Sequence, residues 1–478
     1  MKHHRSPNAF FITFIAVIIL LCMSFLPWSN ISGNFFKDFN LLEDICSVKT
    51  HNEGNGEIVD PELLALMNND DNGIQNSKNA TDPDTIIHSD TSYRTSEQAD
   101  SIDNSDVPES FSVPMDGDLV LIEDYSPSRN ALSRFSKAIA SASVRPVRIA
   151  IIGDSYIEGD VFSQDVREKL QSLYGGRGAG YMMMHSDIPG FRQSVTQTDK
   201  GWTPHDVRKT AKLTYKWLAG EYFIGNQGAT SSYKGVSRKQ HADEWNTSKF
   251  LYIAPSPGSV SITTDSGTVE YPIQASESVQ CITVSGNTKK YSIRNNASGL
   301  VALGVWLSDS TGISLDCMSL RGNSGISHRT LNESLASAMS EHIPYDLIIV
   351  EYGINALSSA QKDYSKYGGY MEDVITTLRT CYPDADILMM GIGDRGQKSG
   401  SEVHSIATAQ NMVDTQRKVA SRTGIAFWDT RAAMGGDDAI VDWREKKLVN
   451  ADYIHLNHKG GEALAQLLVD ALSKAISE

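Results

Sequence analysis

The sequence predicts an α/β protein, a doubly wound parallel sheet with an antiparallel β-sandwich inserted into it. Three observations carry this. Short apolar strands alternate with helical periodicities on both sides of a long interruption. Within that interruption, from about Tyr181 to Ser310, helical periodicity is absent and short Ser/Thr/Val/Tyr-rich runs recur between turn residues. Ahead of both lie an apolar run and a long polar stretch that fit neither pattern.

Met1–Asn8 carries Lys2 and Arg5, and Ala9–Pro27 follows without a charge. An apolar run of roughly 18 residues is near the least that spans a bilayer and longer than most signal-peptide cores. No Ala-x-Ala-like site follows, and the residues before Cys22 are Leu20 and Leu21, which do not suit lipoprotein cleavage. Residues 1–30 therefore read as an uncleaved signal anchor with its basic end inside, a cleaved export signal being the alternative. Residues 31–115 are rich in Asn, Asp, Ser and Thr and poor in large apolar side chains, as in Asn68-Asn69-Asp70-Asp71-Asn72. Such a chain buries too little surface to offset its entropy, so it reads as a largely disordered tether. The globular part is then expected outside the cytoplasm, in the cell envelope.

The α/β part is expected over residues 116–180 and 311–478. Val147–Ile152 is a run of β-branched and apolar residues that stops at Gly153, as a fully buried parallel strand does. Phe162–Tyr174 reads as the returning helix, with Ser155 at the turn between them, where helix N–H groups gather. Asp154-Ser155 would equally suit a helix N-cap. Gly175-Gly176-Arg177-Gly178-Ala179-Gly180 follows a helix rather than a strand, and reads as a stop and loop instead of a dinucleotide site. The inserted sandwich, 181–310, is marked by Lys212–Trp217, Phe250–Ile253, Ser259–Thr264, Val279–Val284 and Val301–Leu307. Beyond it, strands at Ile313–Leu320, Leu347–Glu351, Ile387–Ile392 and Ile425–Trp428 alternate with helices at His328–His342, Tyr370–Cys381, Ile406–Thr423 and Gly460–Ile476.

The formal charge of −15 and the lack of a Lys/Arg cluster exclude nucleic acid as a partner. Five scattered cysteines imply no disulfide framework, leaving Cys281 with Cys317 as one pairing to consider. No C-x-x-C or H-E-x-x-H occurs, so neither a metal nor another cofactor is called for.

Four short segments fall at the carboxyl edge of the expected sheet, where α/β proteins collect ligand groups. They are Gly153-Asp154-Ser155, Gly322-Asn323-Ser324-Gly325-Ile326-Ser327, Glu351-Tyr352-Gly353-Ile354-Asn355 and Asp452-Tyr453-Ile454-His455. In type and order they resemble the blocks of the SGNH/GDSL esterase superfamily: Gly-Asp-Ser, a Gly-containing turn, Gly-x-Asn and Asp-x-x-His. The resemblance covers about residues 145–178 and 313–478 and implies a flavodoxin-like sheet. Two positions depart from it: Ala356 stands where many members have Asp, and Arg321-Gly322 where Asn is often found.

The chemistry is consistent with the resemblance. Acyl transfer to Ser155 needs a base; His455 supplies an imidazole, and Asp452 three residues earlier can fix its tautomer. The oxyanion needs fixed donors, for which the candidates are the N–H of Ser155, the N–H of Gly325 and the side-chain amide of Asn355. An SGNH core with an inserted sandwich on an exported chain resembles the peptidoglycan and polysaccharide O-acetylesterases, whose insert resembles a carbohydrate-binding module. That resemblance implies an acylated glycan as substrate. A lipid-acting esterase or thioesterase, and a non-catalytic envelope glycan-binding protein, are the other readings. Trp202, Tyr215, Trp217, Tyr222 and Trp245 could stack on sugars, although core is the default for such residues. The polar segments His185–Trp202 and Asp394-Arg395-Gly396 are expected to line the cleft.

Overall fold

The computed structural model describes residues 111–209 and 213–477. The expected anchor and most of the expected tether lie outside these residues. No helix among the described residues is long and apolar enough to cross a membrane.

The chain begins with short strands β1 (Met115–Asp116), β2 (Leu119–Val120) and β3 (Glu123–Asp124), then α1 (Ser133–Ala140), β4 (Pro146–Gly153) and α2 (Ser163–Tyr174). An antiparallel region follows: β5 (Gly180–Met182), β6 (Val195–Asp206), β7 (Glu221–Gly235), β8 (Trp245–Ala254), β9 (Gly258–Thr264), β10 (Gly267–Ile273), β11 (Ser276–Thr288), β12 (Lys290–Asn295) and β13 (Leu300–Ser308). The α/β pattern resumes with β14 (Gly312–Ser319), α3 (Glu333–Ser340), β15 (Leu347–Glu351), α4 (Ser365–Cys381), β16 (Asp386–Met390), and a hairpin of β17 (Gly396–Ser399) and β18 (Glu402–Ser405). It ends with α5 (Ala409–Thr423), β19 (Ala426–Trp428), α6 (Thr430–Met434), α7 (Ala439–Glu445) and α8 (His458–Ser477).

The six-stranded sheet runs β14-β4-β15-β16-β19-β3, parallel except for β3 at its edge. Both faces are covered, which is why its strands read as continuous apolar runs. Their side chains still alternate. Ala150 and Ile152 of β4 and Ile348 and Val350 of β15 join the core under α3, α4 and α5, whereas Ile149, Ile151 and Ile349 face α1, α2 and α8.

The inserted region is not a sandwich of two sheets. Its strands form one nine-stranded sheet in the order β10-β9-β12-β7-β13-β8-β11, to which β5 and β6 are bonded laterally. β13 carries the branching: it pairs with β7, β8 and β5, and its nine residues are all buried. The sheet shares a core with the α/β part, since Tyr181, Trp217, Leu251, Val301, Leu303 and Trp306 pack in one cluster with Met318, Tyr345 and Ile348. Asp316 of β14 fastens this seam, accepting from the Tyr181 N–H at 2.8 Å, Trp306 Nε1 at 2.9 Å and the Tyr345 hydroxyl at 2.8 Å.

Three local expectations differ. Residues 213–217 form no strand; Trp217 is drawn into the shared core and bonds through Nε1 to the Glu221 carbonyl. Val195–Asp206, expected as part of a loop, is a strand whose polar side chains alternate outward along β7. Expected helix His328–His342 begins as a short 3-10 turn, and the α-helix starts only at Glu333, N-capped by Asn332. Cys281, Cys317 and Cys381 are free thiols.

Candidate active site

β4 delivers Ser155. Gly153 ends the strand against β15, where a Cβ would lie 2.7 Å from the Glu351 carbonyl oxygen and from its Oε2, so only glycine fits. Asp154 is fully buried and accepts the Tyr156 N–H through Oδ1 at 2.9 Å, which closes the turn carrying Ser155. The turn does not cap α2: a 3-10 turn at Glu158–Asp160 intervenes, and the N-cap position is Phe162. Asp160, also buried, takes both Nη atoms of Arg167 at 2.8 and 2.9 Å and so ties this turn to α2. Burial pushes the Asp160 pKa up, but Arg167, Arg192 and the Ser163 hydroxyl together outweigh it and hold the pKa below the usual carboxylate range.

The loop before α8 delivers the imidazole. It is pinched by a bridge between Val449 and Leu456 and by the Asn450 N–H on the His455 carbonyl at 2.8 Å. Asp452 Oδ1 accepts the N–H groups of Ile454 and His455 at 3.0 and 3.1 Å, which forces Tyr453 into the left-handed region at φ 56°. His455 Nδ1 is 2.8 Å from Asp452 Oδ2, and Nε2 is 2.8 Å from Ser155 Oγ. Burial pushes the Asp452 pKa up, but the imidazole and the two N–H groups outweigh it and keep it below the usual value. Ser155, His455 and Asp452 thus form one hydrogen-bonded series in which Nε2 can take the serine proton.

The other two segments close around the same turn. Gly325 has φ 87°, and its N–H donates to Asn323 Oδ1 at 3.0 Å. Asn355 donates from Nδ2 to Asp154 Oδ2 at 2.8 Å and to the Asn323 carbonyl at 3.2 Å. Both expected oxyanion donors are therefore brought beside the nucleophile, but each is already bonded within the protein. Asn323, not singled out from the sequence, links them, and its buried Nδ2 has no partner.

A second group escaped the sequence reading. Glu351 is 1 % exposed at the end of β15, with neither carboxyl oxygen hydrogen-bonded, and its nearest charged neighbour is Asp154. Burial raises both pKa values, and the Asp154 carboxylate adds to the rise at Glu351. Asp154 accepts two hydrogen bonds that stabilise its charge, and burial raises the Glu351 pKa well above its usual value, so the proton resides on Glu351. The strand end gave a weak signal: a Glu closing an otherwise apolar buried strand.

Trp217 and Trp245 are fully buried and Trp202 and Tyr222 nearly so, which makes them core. Asp394 is also buried, bound to Ser405, Arg431 and the Ile440 N–H rather than facing a cleft. His185–Gln197, by contrast, does contribute to a cavity beside the Ser155 turn. Among the described residues, no group of three or more His, Cys, Asp or Glu side chains is placed to hold a metal ion.

Comparison with known proteins bears on the fold and on the class of reaction. Residues 288–463 match the sequence model of the GDSL-like Lipase/Acylhydrolase family. A solved peptidoglycan O-acetylesterase superposes with a TM-score of 0.63 at 20% identity, covering 74% of this chain and 99% of its own. A family two carbohydrate esterase from Cellvibrio japonicus aligns over 59% of this chain and 98% of its own at 11% identity, with a TM-score of 0.25. No curated protein matches the sequence. The fold is the SGNH hydrolase α/β fold, and the protein is a hydrolase acting on carboxylic esters.

Proposed function

We propose that the protein removes O-acetyl groups from a cell-envelope glycan such as peptidoglycan, with Ser155 as nucleophile, His455 as base and Asp452 as its orienting partner. The observation that carries this reading is the pair of 2.8 Å contacts joining the three side chains. Ser155 Oγ attacks the acetyl carbonyl while His455 Nε2 takes its proton, and Asp452 stabilises the imidazolium. The oxyanion forms against the Ser155 N–H, the Gly325 N–H and the Asn355 amide, the last two exchanging an internal bond for it. Collapse expels the sugar hydroxyl with the proton from His455. Water, activated by the same imidazole, then frees acetate from Ser155.

Charged and polar residues around the cavity beside Ser155, among them Glu158, Asp206, Arg208 and Arg321, favour a glycan over a long acyl chain. The nine-stranded sheet then acts as the carbohydrate-binding part, with residues 116–180 and 311–478 as the catalytic one. Residues 1–30 hold the enzyme to the membrane as a signal anchor, and the tether presents it to the envelope from the far side. A reporter fused after Val120 should be active only outside the cytoplasm. The decisive assay compares acetate release from O-acetylated peptidoglycan, from acetylated xylan and from a long-chain ester. Preference for the long-chain ester would replace this reading with a lipid-acting esterase or thioesterase. Full cellular function of Ser155→Ala would favour a binding protein.

A further inference from the structure

Beside the Ser155 turn, on the side facing the antiparallel sheet, lies a cavity of about 230 Å³. Glu158 connects the two: it lines the cavity, and its N–H bonds back to the Ser155 carbonyl. On the core side the wall continues through Ser319, Leu320 and Arg321, and the Leu320 N–H bonds to the Gly153 carbonyl. The opposite wall comes from the inserted sheet, with Val195 and Pro204 of β6, Glu221 and Phe223 of β7 and the segment after β5. Two parts of the chain far apart in sequence therefore build one pocket beside the turn that carries Ser155.

The charges in this pocket are paired among themselves. Arg208 grips Asp206 through Nε and Nη2 at 3.0 Å each, and Lys209 is 3.5 Å from the same carboxylate. Arg321 is bound to Glu158. His185 lies between Asp199 at 2.6 Å and Asp187 at 3.0 Å, and Arg192 is taken up by the Tyr181 carbonyl and Asp160. One acidic side chain stands apart. Glu221 is 7 % exposed, lines the pocket, and makes no hydrogen bond through its carboxyl. A pocket whose ions are satisfied, with an apolar wall and one unpaired carboxyl, suits a neutral ligand rich in hydroxyl and amide groups rather than an ion or an alkyl chain.

We propose that this pocket is a subsite for an uncharged, acetamido-bearing sugar ring of the substrate glycan, with the protonated Glu221 carboxyl as its hydrogen-bond donor. The choice of a glycan rests on the proposed function; the built pocket and the unpaired carboxyl do not. Desolvation raises the Glu221 pKa to about 8, against the opposing pull of Arg208. The groups facing it are Asp206, Arg208 and Lys209 from β6 and the turn after it, Asp187, His185 and Arg192 from the segment after β5, the Tyr181 phenol, and Glu158 and Arg321 from the core. Below about pH 8 the acid donates to the acetamido carbonyl oxygen of the ring; above it the bare carboxylate can only accept, so it forfeits that bond and repels that oxygen.

The test is calorimetric binding of an unacetylated β-linked tetramer of N-acetylglucosamine to the full chain carrying Ser155→Ala, which keeps catalysis out of the readout. Binding is expected at pH 7 and should weaken about tenfold by pH 9.5. Adding Glu221→Ala should weaken pH 7 binding about tenfold or more. Adding Glu221→Gln, which keeps the shape and a donor, should retain binding and remove the alkaline loss while leaving any inflection due to His185. Melting temperature and near-ultraviolet circular dichroism confirm that each variant is folded. Unchanged binding in folded Glu221→Ala, an alkaline loss that persists in Glu221→Gln, or tighter binding of decanoate than of the tetramer would each overturn the subsite. Tetramer binding that follows Glu221 as expected, in a wild-type protein that releases no acetate, would sink the O-acetylesterase reading and leave the subsite standing.

Discussion

Asn355 donates from Nδ2 to Oδ2 of Asp154 at 2.8 Å, so the amide assigned to the oxyanion is tethered to the residue immediately before the nucleophile. The amide is pre-aimed by a charge it need not leave, since its second N–H rests on the longer 3.2 Å bond to Asn323. Asn355→Ala should lower kcat by about 10²–10³ with KM little changed, because the lost donor acts on the transition state. Steady-state kinetics on an acetyl ester decides this; a raised KM with intact kcat would reassign Asn355 to substrate binding.

Removing Ser155 or His455 should cost about 10⁶ in kcat, and the double variant should be hardly worse than either single one, since they act as a unit. Asp452→Ala should be milder, at about 10⁴, because it orients and stabilises the ring without reacting. Additive losses in the double variant would show that the two do not share one proton path.

The Asp154–Glu351 pair should make stability depend on pH. Both pKa values are raised in the fold, so the stabilisation is complete below the ordinary carboxylate range and is lost as pH climbs through the raised values. Thermal melts between about pH 4.5 and 8 should therefore fall more steeply in the wild type than in Glu351→Gln, which cannot ionise. Parallel curves would place the proton elsewhere.

Asp316 should be a point where both sheets fail together. Asp316→Ala strands the Trp306 and Tyr345 donors in a dry seam and should cost about 3 kcal/mol or more, read by chemical denaturation. Excising residues 181–310 should leave the α/β part without a native melt, because Met318, Tyr345 and Ile348 would lose the cluster that covers them.

The parallel strands and the four edge segments were legible because a strand covered on both faces must be apolar throughout, and because tight turns next to a nucleophile restrict residue type. Gly153 and Gly325 illustrate the second point: side chains there would run into Glu351 and Tyr352. What the sequence concealed depended on distant partners. Val195–Asp206 is polar enough to read as a loop and becomes a strand only because β7 supplies its ladder. Trp217 is β-prone locally but is claimed by a core assembled from both sheets. Whether nine strands form one sheet or two is a matter of pairing across the whole insert, which no local pattern encodes. The Asp154–Glu351 and Glu221 carboxyls are ordinary acids in sequence and acquire their character only from burial.

Ser155 and His455 lie 300 residues apart, and the strand bearing one is made long before the loop bearing the other. On the proposed roles, a growing chain carries Ser155 through the synthesis of the entire antiparallel sheet before its base is made. Hydrolytic competence then requires the segment around Asp452 to lie over the Ser155 turn. Esterase turnover on those roles is also a report on folding: a partial product ending before residue 452 should release no acetate, however native its antiparallel sheet.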